Sequence, residues 1–154
     1  MSMQEKIAEL ESRRASLMLG GGADRIEKHH KQGKLSARER LAQLVDPESF
    51  QESGLFAEHR STLFGMEGKQ LPADGVVTGA ATNAGRLVHV ASQDFTVMGG
   101  AAGEVHSLKI AEAMDHSLKT GSPFIFVNDS GGARVQEGID SLSGYGQVFH
   151  SNVK

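Results

Sequence analysis

The feature that most constrains the fold is a change of hydrophobic period that occurs twice after residue 87. Leu87–Ala91 is an apolar run of strand type, and residues 104–119 then repeat apolar side chains at helical spacing. Phe124–Val127 is a second, continuous apolar run, which is typical of a strand covered on both faces. This order predicts a strand–helix–strand unit with a right-handed crossover, and therefore an α/β fold. The residues predicted to share the inward helix face are Ile110, Ala111, Met114 and Leu118.

The second strand leads into a glycine-containing loop, Asp129–Arg134, and then into another helix. A parallel strand is expected after that helix, because an apolar helix face needs another element to cover it. The sequence stops at Lys154, directly after the helix. We therefore expect a fold that is incomplete at its C-terminal end. The residues spaced for one face of this helix are Ile139, Leu142, Tyr145 and Phe149.

The N-terminal third predicts two helices. Residues 3–19 carry apolar side chains at near-heptad spacing, and Gly20–Gly22 ends this helix because glycine has a high backbone entropy. Its apolar edge is narrow, so we expect it to dock on another part of the protein or on a partner. Ser36 and Glu39 have the spacing of a capping box, which begins a short helix that ends before Asp46-Pro47.

A hairpin is predicted between these helices and the glycine loops. Val76–Thr78 and Leu87–Ala91 are strand-like runs that flank the turn sequence Asn83-Ala84-Gly85. The expected domain organisation is an N-terminal helix at residues 1–22 and the first part of an α/β domain at residues 23–154.

Composition excludes several classes of function. The 154 residues carry a formal net charge of −3, which gives no general attraction to nucleic acid. The chain has no cysteine, so it has no disulfide, thiolate metal site or cysteine nucleophile. None of the seven histidines stands in a His-Glu-x-x-His sequence, and we predict no metal in this chain.

The apolar runs and the N-terminal residues indicate where in the cell the protein is expected. The longest buried-looking run, Pro123–Val127, is far shorter than a membrane span, so we expect no direct membrane insertion. The sequence starts with charged residues, and Glu5, Glu9 and Glu11 argue against a mitochondrial presequence, which is poor in acids. A cytoplasmic location is the expectation.

The first candidate site is the loop Asp129–Arg134, at the carboxyl end of a predicted strand and before a helix. Open α/β sheets bind ligands at this position, and free backbone N–H groups there suit an anionic oxygen. One interpretation is an oxyanion hole for a thioester or enolate oxygen. The other is a tight strand–helix turn in which Arg134 caps a neighbouring group. Ser130 has no Gly-x-Ser-x-Gly context, which argues against a serine hydrolase.

A second glycine-rich loop, Gly99–Gly103, also connects a strand to a helix. It matches neither the dinucleotide fingerprint nor a phosphate-binding P-loop. It would let the chain approach a pantetheine or adenine group closely, or let the helix pack tightly on the sheet; the sequence leaves both open.

Basic residues are concentrated between residues 25 and 40. They suit either the phosphates of a nucleotide-like ligand or a solvated helix surface, and the second is the more common use. The residues are Arg25, Lys28, Lys31, Lys34, Arg38 and Arg40.

A collinear series of segments resembles a known family over nearly the whole chain. The similarity is to the N-terminal part of the carboxyltransferase (β) subunit of biotin-dependent acyl-CoA carboxylases, most of all to its propionyl-CoA carboxylase and methylmalonyl-CoA carboxyltransferase branches. A series of this kind is more specific than any single motif. The segments are GKLSARERL (33–41), LVDPESF (44–50), PADGVVTG (72–79), ASQDFTVMGG (91–100), DSGGARVQEG (129–138) and DSLSGYG (140–146).

The resemblance implies a crotonase-like fold, a spiral of ββα turns preceded here by a helical arm. It implies transfer of a carboxyl group from carboxybiotin, held by a partner carrier protein, to the α-carbon of a short acyl-CoA such as propionyl-CoA. Gly132 and Ala133 would supply backbone N–H groups to the thioester oxygen. The implied partners are further carboxyltransferase subunits and the biotin carboxylase and biotin carrier subunit. The residues expected to lie against CoA are Met98, Gly99, Gly100, Ala101, Gly103 and Gly131.

The family's subunit continues well beyond the equivalent of Lys154, with a second glycine loop that completes the oxyanion hole and a second domain that holds biotin. We therefore expect the isolated 154 residues to be inactive. Two alternatives stay open: a decarboxylase subunit that works with a sodium pump, and a non-catalytic assembly module that docks through residues 3–45. The motifs do not fix the length of the acyl chain.

Overall fold

The computed structural model describes residues 1–154, which form five α-helices and one four-stranded sheet. The helices are α1 (Met3–Met18), α2 (Ala23–Lys31), α3 (Ala37–Leu44), α4 (Glu104–Thr120) and α5 (Ile139–Asn152). The strands are β1 (Gln51–Ser53), β2 (Val76–Asn83), β3 (Arg86–Gln93) and β4 (Phe124–Val127). None of the helices is both long enough and apolar enough to cross a membrane.

The sheet has the strand order β1-β2-β3-β4. β1 and β3 each pair antiparallel with β2, whereas β4 pairs parallel with β3. Between β2 and β3, Ala84 and Gly85 have φ values of 49° and 75°, the backbone geometry that joins two strands in a tight hairpin. The predicted hairpin and the predicted strand–helix–strand unit, β3-α4-β4, are both confirmed.

Helices cover both faces of the sheet. On one face, α3 packs through Ala37 and Leu41 against apolar side chains of β2 and β3. On the other face, Ile110 of α4 and Val148 of α5 pack in a second apolar cluster. Successive residues of a strand point to opposite faces, which sends Val77 to the first cluster and Val76 to the second.

Strand β4 and the end of α4 are less buried than predicted. All four residues of β4 are half-buried, because β4 lies at the edge of the sheet with β3 as its only neighbour. Leu118, expected on the inward face of α4, is 56% exposed. The buried face of the helix runs instead through Ile110, Ala113 and Ser117.

The prediction for the face of α5 was wrong. The buried residues of α5 are Ser141, Gly144 and Val148, and this small-residue face packs against α4. A side chain at Gly144 would overlap Ser107 of α4, so the close approach of the two helices requires glycine there. The apolar residues expected to be covered lie on the outer surface: Ile139 (75% exposed), Leu142 (58%) and Phe149 (65%), with Tyr145 half-buried.

The N-terminal helix is anchored at its C-terminal end. Leu17 is the only buried residue of α1. After the helix, the N–H of Gly21 donates to Thr96 Oγ1 at 3.0 Å, and a side chain at Gly21 would overlap the backbone of Thr96. The glycines that end α1 therefore also let the chain cross closely over the segment after β3. The division at residue 22 stays a prediction.

Candidate functional site

The two glycine-rich segments singled out in the sequence lie side by side. We call residues 98–103 the first glycine loop and residues 129–134 the second. The N–H of Gly131 donates to the carbonyl of Gly99 at 2.9 Å. Ala102 and Ala133 form a parallel β-bridge, in which the N–H of Ala102 donates to Gly132 O and the N–H of Arg134 donates to Ala102 O, both at 2.9 Å. The loops therefore form one backbone unit at the carboxyl ends of β3 and β4.

Glycines make this contact possible at two positions in particular. Gly100 has a φ of 61°, and a side chain on it would overlap the carbonyl oxygen of Asp129. A side chain on Gly103 would collide with those of Glu137 and Arg134. Close packing, one of the two interpretations of the first loop, therefore accounts for Gly100 and Gly103. An added Cβ would meet no atom at Gly99 and only Gly99 O, 3.7 Å away, at Gly131. These two glycines therefore leave room for a ligand.

The backbone N–H groups of the second loop differ in whether a protein group accepts their hydrogen bond. The N–H of Asp129 donates to Gln93 Oε1 at 3.1 Å, and that of Gly132 donates to Ser130 Oγ at 3.0 Å. The N–H of Ala133 donates to no protein acceptor, and its residue is half-buried. Of the two N–H groups predicted for an oxyanion hole, Ala133 has its donor free and Gly132 has it engaged.

A cavity of about 480 Å³ opens beside the second loop. Ile110, Phe126 and Val148 give it an apolar lining, and the hydroxyl of Ser107, on a residue only 1% exposed, has no hydrogen-bond partner. A pocket with an apolar lining and a few polar groups is typical of a small-molecule site. Its other lining residues are Gln93, Ala102, Asn128, Asp129, Ser130, Gly132 and Tyr145.

The N-terminus of α4 is capped by buried carboxylates rather than left open for an anion. Asp74 Oδ2 accepts the N–H of His106 at 2.7 Å, and Glu137 Oε2 accepts the N–H of Glu104 at the same distance. Arg134, fully buried, donates to both carboxylates and to Ala101 O at 2.8 Å. Burial raises the pKa of Asp74. Arg134 thus caps neighbouring groups, as the second interpretation of its loop predicted, and it also ties the two loops together.

A buried hydrogen-bond chain, which sequence analysis missed, fixes the start of the second loop. His106 donates from Nδ1 to Asp74 O at 2.8 Å, and its Nε2 lies 3.2 Å from Gln93 Nε2. Burial lowers the pKa of His106 to about 3, so the ring is neutral at pH 7 and its Nε2 accepts from the Gln93 amide. Gln93 Oε1 then accepts from Asp129, as described above. The available signal was position, because Gln93 ends β3 next to the carboxyl end of β4.

Several basic side chains between residues 25 and 40 are held by protein groups. Arg38 makes a bidentate pair with Glu52, at 2.5 and 2.8 Å. Arg40 donates to Asp129 Oδ2 at 2.8 Å and so holds the second loop from α3. Lys28 and Lys34 form no ion pair. The segment is therefore part structural and part free cationic surface. No cluster of three or more His, Asp or Glu side chains has the geometry to hold a metal ion.

Comparison with known proteins defines the family. The carboxyl transferase domain family matches residues 28–154. The chain is 59% identical over 153 residues to the methylmalonyl-CoA carboxyltransferase 12S subunit of Propionibacterium freudenreichii subsp. shermanii, covering 99% of this chain and 29% of that subunit. It is 52% identical over 151 residues to the propionyl-CoA carboxylase beta chain of Roseobacter denitrificans, covering 98% of this chain and 30% of that one. The chain belongs to the carboxyl transferase domain family, and it spans about 30% of the length of these relatives.

A solved structure of a transcarboxylase 12S subunit, described as a hexamer with methylmalonyl-coenzyme A and methylmalonic acid bound, has the same fold. The TM-score is 0.97 at 58% identity, and the match covers 99% of this chain and 30% of that one. The predicted crotonase-like α/β class is confirmed by this similarity. The assignments of Gly132 and Ala133 to an oxyanion hole, and of the loop residues to CoA, stay predictions.

Proposed function

We propose that this chain is part of a carboxyltransferase subunit that transfers a carboxyl group between biotin and the α-carbon of a short acyl-CoA, propionyl-CoA above all. The observation that carries the proposal is the unpaired N–H of Ala133 in a backbone unit beside a cavity of about 480 Å³. Support comes from the relatives, whose names give carboxyl transfer on methylmalonyl-CoA and carboxylation of propionyl-CoA.

The proposed chemistry needs a hydrogen-bond donor at the thioester oxygen. When the α-carbon of a thioester loses a proton or a carboxyl group, negative charge develops on the thioester oxygen. A fixed N–H aimed at that oxygen stabilises the enolate more than the starting thioester, which lowers the barrier. Ala133 takes this role here. Gly132, whose N–H is bonded to Ser130 Oγ, shapes the turn and takes part only if that bond is exchanged.

For CoA, we retain the surface of the first glycine loop. Gly99 and Gly131, which have room at the Cβ position, let the ligand approach the backbone, and Met98 and Ala101 lie in the same loop as Gly99. Gly100 and Gly103 keep the two loops in contact. The cavity beside the second loop receives the acyl and thioester end.

Biotin enters this proposal on a partner carrier protein, where it supplies the activated carboxyl group, and we assign no residue of this chain to it. Further copies of the carboxyltransferase subunit and a biotin carboxylase complete the proposed assembly. A cytoplasmic location fits a chain without cysteine. A decarboxylase subunit, the alternative within the family, uses the same enolate step in the opposite direction.

A hybrid subunit tests the proposal. Residues 1–154 replace the matching segment of the Propionibacterium 12S subunit, and carboxyl transfer from methylmalonyl-CoA to biotin is measured on the assembled protein. We expect the hybrid to assemble and to keep activity, because the replaced residues are 59% identical and have the same fold. A hybrid that assembles normally and transfers no carboxyl group would contradict the proposal and favour the non-catalytic assembly module.

A further inference from the structure

Three consecutive residues directly before β2 have a left-handed backbone. Ala73, Asp74 and Gly75 have φ values of 51°, 47° and 75°. Glycine adopts this conformation freely, whereas the Cβ of alanine or aspartate crowds the following carbonyl oxygen. We call residues 73–75 the left-handed turn. Backbone strain of this kind persists only where the surrounding structure holds it, and it is concentrated at functional sites.

Lys109 of α4 holds the left-handed turn. Its Nζ donates to Ala73 O at 2.7 Å and to Val76 O at 2.6 Å, so one ammonium group bridges the start of the turn and the residue after it. Lys109 is only 6% exposed. Its stem runs past Gly54, where an added Cβ would lie 2.9 Å from Lys109 Cε. The lysine therefore fits one place, between the turn and the end of β1.

Burial at this position is unfavourable for an ammonium group, which loses its hydration there. Burial lowers the pKa of Lys109 to about 8, although the carboxylates of Glu52, Asp74 and Glu112 favour its charged form and the guanidinium of Arg38 opposes it. None of these carboxylates forms an ion pair with Lys109. An apolar side chain would pack here at lower cost, so what the lysine adds is its two hydrogen bonds to the turn.

The left-handed turn connects Lys109 to the second glycine loop through Asp74. The carboxylate of Asp74 accepts from Arg134 Nη1 at 2.5 Å, and its carbonyl accepts from Arg134 Nη2 at 3.3 Å. Arg134 directly follows Ala133, and its backbone N–H donates to Ala102 O. A displaced turn would therefore move the residue next to the unpaired N–H of Ala133.

We propose that Lys109 is a positioning residue for carboxyl transfer: it holds the left-handed turn so that Asp74 and Arg134 keep the N–H of Ala133 aimed at the thioester oxygen. The inference rests on the proposed function, which makes that N–H the oxyanion donor. Lys109 does not line the cavity beside the second loop, so it acts through the turn and not on a ligand. Its removal then lowers the reaction rate more than it weakens binding of the acyl-CoA.

The hybrid 12S subunit tests this with Lys109→Met, which keeps an apolar stem and removes the ammonium group. We expect kcat for carboxyl transfer from methylmalonyl-CoA to biotin to fall about tenfold, because a small shift of the donor weakens its contact with the transition state. The KM for methylmalonyl-CoA should stay within about twofold. Lys119→Met is the matched control, since Lys119 is exposed on the same helix, and it should keep the parent kcat and KM.

A double-mutant cycle with Asp74→Asn shows whether Lys109 acts through the turn. Residues of one hydrogen-bond network have non-additive effects, whereas independent residues multiply their losses of rate. We expect the double variant to have nearly the kcat of Asp74→Asn alone. The thermal stability of each assembled hybrid is measured alongside, because a residue with only a structural role changes stability and leaves kcat unchanged.

An assembled Lys109→Met hybrid with the parent kcat would overturn the inference, even at lower stability, as would multiplied losses in the cycle. If Lys109→Met does not assemble, Lys109→Gln, which retains N–H donors on a shorter side chain, is judged by the same criteria. Failure of both variants to assemble would make Lys109 a residue of folding and would also overturn the inference. Failure of the proposed function is a separate outcome, because the parent hybrid itself would then transfer no carboxyl group.

Discussion

At the scale of single residues, Arg134 and His106 show how buried polar groups shape the loops. The side chains of Arg134 and of its partners Asp74 and Glu137 are almost completely buried. Two carboxylates and one guanidinium share this space, so the positive charge of Arg134 offsets the cost of burying the two acidic side chains. The same side chain binds Ala101 O in the first glycine loop. Arg134, which is fully buried, therefore positions the two loops.

Replacing Arg134 by methionine is expected to lower the free energy of unfolding by about 3–5 kcal/mol, because two buried carboxylates lose their partner. Arg60→Met is the control, since Arg60 pairs with Glu104 on the surface, where a loss of at most about 1 kcal/mol is expected. Urea unfolding followed by circular dichroism measures both. Equal, small losses in the two variants would contradict the role given to Arg134.

His106 predicts a pH dependence of stability. Its pKa in the folded chain is about 3, below the ordinary value of 6.5, so between these values the unfolded chain binds the proton more tightly. Stability from this group is complete above pH 6.5 and is lost as the pH falls towards 3, at up to about 1.4 kcal/mol per pH unit. Comparing urea unfolding of the parent and His106→Asn between pH 7 and pH 4 isolates the effect. A parent and variant with parallel pH profiles would show that His106 does not titrate in this way.

At the scale of elements, the packing of α4 on α5 depends on one glycine. Gly144→Ala places a methyl group 2.8 Å from Ser107 Cβ, so we expect a loss of about 1–3 kcal/mol from overpacking. Gly146 lies in the same helix with no atom near its Cβ position, so Gly146→Ala should instead stabilise by about 0.5–1 kcal/mol. Thermal unfolding of the two variants measures the difference. Similar shifts of the same sign would contradict this account of the helix contact.

Local sequence patterns predicted which elements form better than they predicted which faces of those elements are buried. The hairpin turn at Ala84-Gly85 and the capping box of Ser36 and Glu39 depend on neighbours in sequence, and the structure has both. The outward face of α5 could not be predicted, because helical spacing shows that Leu142 and Phe149 share a face but not which face meets α4. For helix α2 the sequence favoured a solvated helix surface but gave no bounds, since its residues are mostly polar and exposed.

For the candidate site, the sequence likewise predicted the loops but not the contacts between them. Both glycine loops were found from sequence because a glycine run between a strand and a helix is a local signal. That the loops bridge each other through Ala102 and Ala133 is a tertiary fact. The link from His106 through Gln93 to Asp129 joins residues up to 36 positions apart, which spacing along the chain does not reveal.

At the scale of the whole molecule, we expect the 154 residues to form only part of a site. The chain spans about 30% of its relatives, and its unpaired N–H lies in the loop that lines its cavity. The isolated chain is therefore expected to show no carboxyl transfer from methylmalonyl-CoA to biotin above background. Turnover by the isolated chain would mean that these residues form a complete site.

The most direct measurement is the carboxyl-transfer rate of the hybrid 12S subunit with Ala133→Pro, compared with Ala133→Gly. Proline removes the N–H of residue 133 but no hydrogen-bond donor of the bridge to Ala102, because the bridge donors are Ala102 and Arg134. Glycine retains the N–H. We predict a rate about 10²–10³ times lower for proline, the effect of losing one oxyanion donor, with CoA binding and assembly unchanged. The glycine variant should keep the parent rate. A proline variant that transfers carboxyl groups at the parent rate would contradict the central claim.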